Sequence, residues 1–232
     1  MTLRLAVVTA TTDLQRSRSC RHSWSATDVD VYTVCNGTQP IYAQDQQWDF
    51  DREIFGGKRW YYQSNAILGT VPAFAIGVQK ALEEGADIIA CLHDDLDILE
   101  PWAERVRDWF QDNPRCGLAG FGGGTGLGHT DIYKIPYDPM QLARYDFVSN
   151  MKDAEAHGRR ATTGSSADWP FVPERVACLD GFSQIGRREY WGGEEQIPLH
   201  VAAGNLFDQM QIWGVTHHFY DGMLGCFAKR LG

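Results

Sequence analysis

Five consecutive apolar residues, Ile88-Ile89-Ala90-Cys91-Leu92, run into His93 and then into three aspartates within four positions, Asp94, Asp95 and Asp97. A strand with one wet face alternates apolar and polar residues. A strand apolar on both faces belongs in the middle of a sheet that is covered on both sides. Asp87–His93 therefore predicts a central parallel strand, and the rest of the chain has to supply the helices that cover it.

The flanking sequence does so. Leu3–Thr9 reads as a first strand, and Thr12 or Asp13 as the cap of a helix running to about Trp24. Val29–Cys35 reads as a second strand closed by Asn36-Gly37. Residues 38 to 64 are polar and aromatic and read as irregular. Val71–Glu84 has helical spacing, with Phe74, Val78, Ala81 and Leu82 on one face and Gly85 to end it. Pro101–Gln111 reads as a second helix with Trp102, Val106, Trp109 and Phe110 as its buried stripe. Gly117–Phe121 is a further short strand. Strands alternating with helices imply an α/β fold, a Rossmann-like, mainly parallel sheet flanked by helices. Ligands of such sheets bind outside the C-terminal strand ends, where the aspartates stand.

The second half is less regular. Residues 129 to 175 contain four prolines, and Gly158–Asp168 is rich in small and polar residues. Arg175–Leu179 is a short strand candidate before Asp180-Gly181, and the tail from Val215 reads as a loop entering a helix. No repeat or linker divides the chain. A single domain of 232 residues is expected, with residues 1–128 as a nucleotide-binding half and 129–232 as an acceptor-binding half.

Composition excludes several classes. The formal net charge of −9 argues against non-specific binding to DNA or to an anionic membrane surface. No stretch approaches the ~18–20 apolar residues of a membrane span, and Met1–Ala10 lacks the pattern of an export signal. The six cysteines are scattered without a CxxC pair, so reduced thiols in a cytosolic protein are expected.

Clustered carboxylates repel one another unless a cation neutralises them. Magnesium is commonly held by one or two carboxylates together with substrate phosphates. The acidic cluster therefore suits a metal–diphosphate ligand. The plainer alternative is a helix cap with solvated neighbours.

At this point the chain resembles a known family. The segments "LRLAVVTATT", "VYTVCNG", "GADIIACLHDDLDI", "VACLDGFSQIGRRE" and "HHFYDGMLGCFAKRLG" follow in the order seen in family 2 glycosyltransferases of the GT-A fold. The resemblance covers most of the chain and is weakest from 38 to 64 and from 129 to 170. It implies a nucleotide-sugar donor, a UDP- or GDP-sugar, and a divalent cation, Mn2+ or Mg2+. It places Thr9, Ala10, Thr11 and Asn36 near the nucleotide, Asp94 near the ribose or sugar, and Asp95 with Asp97 at the metal. Asp221 is implied as the general base of an inverting transfer, with Asp180 as its competitor. The alternative for Asp180 is a turn residue, and for Asp221 a helix cap. Many GT-A enzymes carry a metal-ligating histidine downstream of the base. None follows Asp221 here, so either Asp95, phosphates and water hold the metal or the sequence is short of a full member.

Other residues are weaker candidates. The resemblance also likens Leu179–Gly181 to the segment that meets donor sugar and acceptor, so Arg187, Arg188 and Trp191 after it, and His218 before Asp221, are expected at the acceptor. Trp48, Trp60, Tyr61, Tyr62 and Trp169 offer further rings for stacking. The glycine-rich Gly120–Gly128 matches neither a P-loop nor a dinucleotide fingerprint and reads as a loop. Two other classes compete with the glycosyltransferase reading. A sugar-nucleotide-forming nucleotidyltransferase would want a glycine-rich basic loop after the first strand, which "TATTDLQRSR" lacks. A non-catalytic nucleotide- or sugar-binding module would not need both the aspartate cluster and Asp221. The acceptor stays open among a glycan, a protein side chain, a small molecule and a hydroxylated nucleic-acid base.

Overall fold

The computed structural model describes residues 2–12, 28–36, 48–54, 57–64, 68–94, 96, 102–120, 122–124, 147–149, 178–179 and 183–192. Ten strands and three helices lie among them. The strands are β1 (Leu5–Thr11), β2 (Asp30–Cys35), β3 (Trp48–Ile54), β4 (Gly57–Gln63), β5 (Ile88–His93), β6 (Leu118–Ala119), β7 (Gly122–Gly124), β8 (Phe147–Ser149), β9 (Cys178–Leu179) and β10 (Ser183–Arg187). The helices are α1 (Thr70–Glu83), α2 (Ala103–Asp112) and α3 (Arg188–Gly192).

A seven-stranded sheet has the order β3-β4-β2-β1-β5-β10-β6. β4, β2, β1 and β5 run parallel, while β3 and β10 run antiparallel to their neighbours. The α/β class expected from the sequence is present, but the sheet is mixed: its parallel middle is flanked by antiparallel pairings at β3–β4, β5–β10 and β10–β6. β5 is central and buried on both faces, as its unbroken apolar run requires.

Pleating divides the core in two. Ala6, Val8, Ile89 and Cys91 face α1 and α3 through Phe74, Val78, Ala81, Tyr190 and Trp191. Leu5, Val7, Ile88, Ala90 and Leu92 face the other way, onto Trp102, Ala103, Val106 and Phe110 of the α2 segment. Helices therefore cover both faces. The α1 stripe read from the sequence is buried as expected, and Gly85 ends the helix at a φ of +83° that favours glycine.

The structure corrects two expectations. Residues 48–54 and 57–63, read as irregular, form the β3–β4 pair with a register shift between Phe50 and Arg52. The stretch Trp48-Asp49-Phe50-Asp51 alternates apolar and charged residues, the period of a strand, so the signal was present. Gly122–Gly124, read as part of a loop, is the middle strand of a second, three-stranded sheet, β8-β7-β9. The expected helix to Trp24, the segment Gly158–Asp168 and the tail from Val215 lie outside the described residues.

Candidate functional site

The chain leaves β1 toward β2 and β4 on one side and reaches β5 on the other. The sheet order therefore reverses between β1 and β5, the position where α/β sheets open a crevice for ligands. A cavity of about 200 Å³ lies there, lined by Ala10, Thr11, Thr12, Asn36, Thr70, Phe74, His93 and Asp94. Ala10 and Thr11 end β1, Asn36 follows β2, and His93 and Asp94 end and follow β5. The C-terminal ends of three parallel strands thus meet the first turns of α1.

Thr11 and Asp94 are joined. Ala10 pairs with His93 in the β1–β5 ladder, so the next residues, Thr11 and Asp94, fall side by side on one face. The Thr11 hydroxyl donates to Asp94 Oδ2 at 2.7 Å, and Asp94 is only 8% exposed. A buried carboxylate requires such a partner, because desolvation without one is costly.

Asn36 shapes the opposite wall. Its backbone N–H donates to the Thr11 carbonyl at 2.6 Å. Its side chain donates to the Gly69 carbonyl at 3.2 Å and accepts from the Leu68 N–H. Gly69 precedes α1 with φ +87° and ψ 169°, a conformation open to glycine. The carboxamide thereby clamps the entry into α1 and brings Thr70 and Phe74 to the cavity.

Ala10, Thr11, Asn36 and Asp94, four of the residues expected at the nucleotide, are brought together here. Thr9 lies one pleat deeper, fully buried, with no partner for its hydroxyl. Thr12, Thr70, Phe74 and His93 also line the cavity, although the sequence reading left them out. In the sequence Thr12, like Asp13, reads as a candidate cap and Phe74 as part of the helix core. The signal for Phe74 is its place one turn after Thr70 on the same helix face.

Arg187, Arg188 and Trp191, expected at the acceptor, do not line this cavity. β10 runs antiparallel to β5, so Arg187 pairs with Ile88 at the far end of the sheet. Arg187 donates to the carbonyls of Phe110, Asn113 and Cys116, and its guanidinium lies 5.3 Å from the Phe110 ring centroid. Arg188 donates to the carbonyls of Leu82 and Ala86. Each arginine thus satisfies carbonyls at the C-terminal end of a helix, where a cation is favoured. Trp191 is fully buried and donates to the Ile89 carbonyl at 3.0 Å. Of the rings read as free for stacking, Tyr62 is buried against Val34 and Ala73, and Trp60 lies under Lys80 at 4.5 Å. Asp95, Asp97, Asp180, His218, Asp221 and Trp169 lie outside the described residues.

Among the described residues no group of three or more His, Cys, Asp or Glu is arranged to hold a metal. Among them, too, no helix is long and apolar enough to cross a membrane. Cys35, Cys91 and Cys116 are free thiols, and burial pushes that of Cys91 well up. No protein-family model matches this chain, and no curated protein matches it.

Proposed function

We propose that the chain is a metal-dependent glycosyltransferase of the GT-A kind, moving a sugar from a UDP- or GDP-sugar to an acceptor hydroxyl with inversion. The observation that carries this reading is the cavity at the β1–β5 switch point, where Ala10, Thr11, Asn36 and Asp94 converge. Its described lining offers hydroxyls, an amide, a carboxylate and the Phe74 ring, which suits a polyhydroxylated ligand with a flat base.

The same lining includes no lysine or arginine among the described residues. A diphosphate beside the buried Asp94 carboxylate needs a cation; Asp95 and Asp97, close by in the sequence, would hold Mn2+ or Mg2+ together with the phosphates. The metal would stabilise the departing diphosphate. Asp221 takes the proton of the acceptor hydroxyl as that oxygen attacks the anomeric carbon, and the nucleoside diphosphate leaves with the bonding pair. Asp180 competes with Asp221 for the role of base.

Release of nucleoside diphosphate from a panel of UDP- and GDP-sugars tests the reading. Slow hydrolysis that needs Mn2+ or Mg2+ and is abolished by chelator and by Asp95→Ala supports it. No release from any donor, with or without metal, contradicts it.

A further inference from the structure

Gln184 stands on β10, fully buried, and neither its Oε1 nor its Nε2 has a hydrogen-bond partner among the described residues. Native structures leave few buried polar groups in this condition, because each costs its full desolvation. We infer that Gln184 is a positioning residue for the cavity: its carboxamide oxygen takes the ring N–H of His93 when a ligand is bound, and so presents the other ring nitrogen to a ligand hydroxyl. This deepens the reading of the cavity as a nucleotide-sugar site and rests on it.

Register brings the two side chains together. Gln184 pairs with Cys91, whose side chain packs with Tyr190 and Trp191 on the α1 side of the sheet. Directly opposed residues share a face, and so do residues two apart on one strand. Gln184, Cys91 and His93 therefore share that face, with His93 as the diagonal neighbour of Gln184. Such neighbours lie about 7–8 Å apart, within reach of long side chains. His93 is half-buried and lines the cavity, and Gln184 stands behind it. The other direction along β10 is closed. A Cβ added at Gly186 would lie 2.8 Å from Trp191 Nε1 and 3.0 Å from Tyr190 Cδ1, and the Trp191 N–H is committed to the Ile89 carbonyl. Cys91 offers only a weakly bonding thiol. A neutral imidazole has one N–H and one acceptor nitrogen, and the partner of the first decides which nitrogen is left for a ligand. His93 already interacts within this fold, and Gln184 adds a partner on the side away from the cavity.

The test is calorimetric titration of UDP- and GDP-sugars, with Mn2+, into the full chain and its Gln184→Met, His93→Ala and doubly substituted variants, alongside thermal unfolding. Gln184→Met keeps the length of the side chain and removes the amide. It should raise the melting temperature of the protein without nucleotide, because no buried amide is then left unpaired. It should also weaken the donor that the wild type binds by about tenfold, the scale of one hydrogen bond. In the His93→Ala background the same substitution should change affinity by less than about twofold. Ring-nitrogen NMR of 15N-histidine protein, with His93 assigned by its loss in His93→Ala, should show the donor fixing one neutral tautomer of His93 in the wild type and not in Gln184→Met. A lower melting temperature with unchanged affinity, losses that add in the double variant, or the same His93 spectrum in both proteins would overturn the inference while leaving the nucleotide site standing. If Gln184→Met does not fold, Gln184→Leu takes its place, and His93 ring signals that the donor leaves unchanged in the wild type overturn the inference by themselves. Binding of no nucleotide sugar by the wild type would remove the site reading and the inference with it.

Discussion

The indole nitrogen of Trp191 donates to the carbonyl of Ile89 at 3.0 Å, tying α3 to the central strand from the side that α1 also covers. A ring that looked free for stacking on a sugar is therefore part of the core. Trp191→Phe removes the donor and part of the volume. It should destabilise the fold by about 1–3 kcal/mol, from a lost hydrogen bond plus a small cavity. Urea unfolding should show a lower midpoint with an unchanged slope. Nucleotide affinity of the folded variant should not change.

Arg187 gathers the carbonyls of Phe110, Asn113 and Cys116 at the end of α2. Arg187→Gln should cost about 1–3 kcal/mol, because hydrogen bonds to a charged donor are lost at a part-buried site. A binding or turnover defect without loss of stability would instead assign Arg187 to the acceptor. Thermal unfolding alongside acceptor kinetics separates the two.

Gly77 lies where α1 crosses β1, and a Cβ added there would overlap Val8 Cγ1. Alanine is a better helix former than glycine by about 1 kcal/mol. Overpacking a tight core costs about 1–3 kcal/mol, so the clash is expected to win. Gly77→Ala should lower the melting temperature, and the double variant with Val8→Ala should recover part of the loss. A more stable single variant would show that α1 can move away from β1.

Lys80 and Glu84 form an i,i+4 pair at 2.6 Å near the end of α1. The hydrogen bond from Lys80 holds the Glu84 carboxyl below its usual range, against a smaller opposing effect of burial. The unfolded state therefore takes up the proton first as pH falls. The pair's contribution is complete above the ordinary glutamate pKa and is lost on acidification through the lower, folded-state value. Glu84→Gln should cost about 0.3–0.5 kcal/mol at neutral pH. The gap to wild type should close in acid, as followed by urea midpoints across the pH range.

The parts of the fold that the sequence revealed are those where periodicity and burial agree. The run from Ile88 to Leu92 announces a doubly covered strand, and Phe74, Val78, Ala81 and Leu82 announce the buried face of α1. β3 and β4 are masked in the sequence by aspartates, arginines and aromatics that suggest a polar loop, although Trp48 to Asp51 alternate as an edge strand does. At the site, strand ends and the family resemblance pointed to Ala10, Thr11, Asn36 and Asp94. Thr70 and Phe74 arrive through the Asn36–Gly69 clamp, a contact 33 residues apart that spacing cannot announce. The carbonyl partners of Arg187 and Arg188 are not legible in the sequence, because charge does not reveal which helix ends lie beside it. Their work follows from the antiparallel course of β10.

The central claim is that the cavity between the ends of β1 and β5 takes a nucleotide. Thr12 lines it and is exposed, so a large side chain there can block the mouth without entering the core. The most direct measurement is calorimetric titration of UDP and GDP, with Mn2+, into wild type and Thr12→Trp. Saturable binding of one nucleotide to the wild type, weakened at least about tenfold in a Thr12→Trp variant of unchanged melting temperature, is the predicted result. Equal binding to both proteins, or binding to neither, would contradict it.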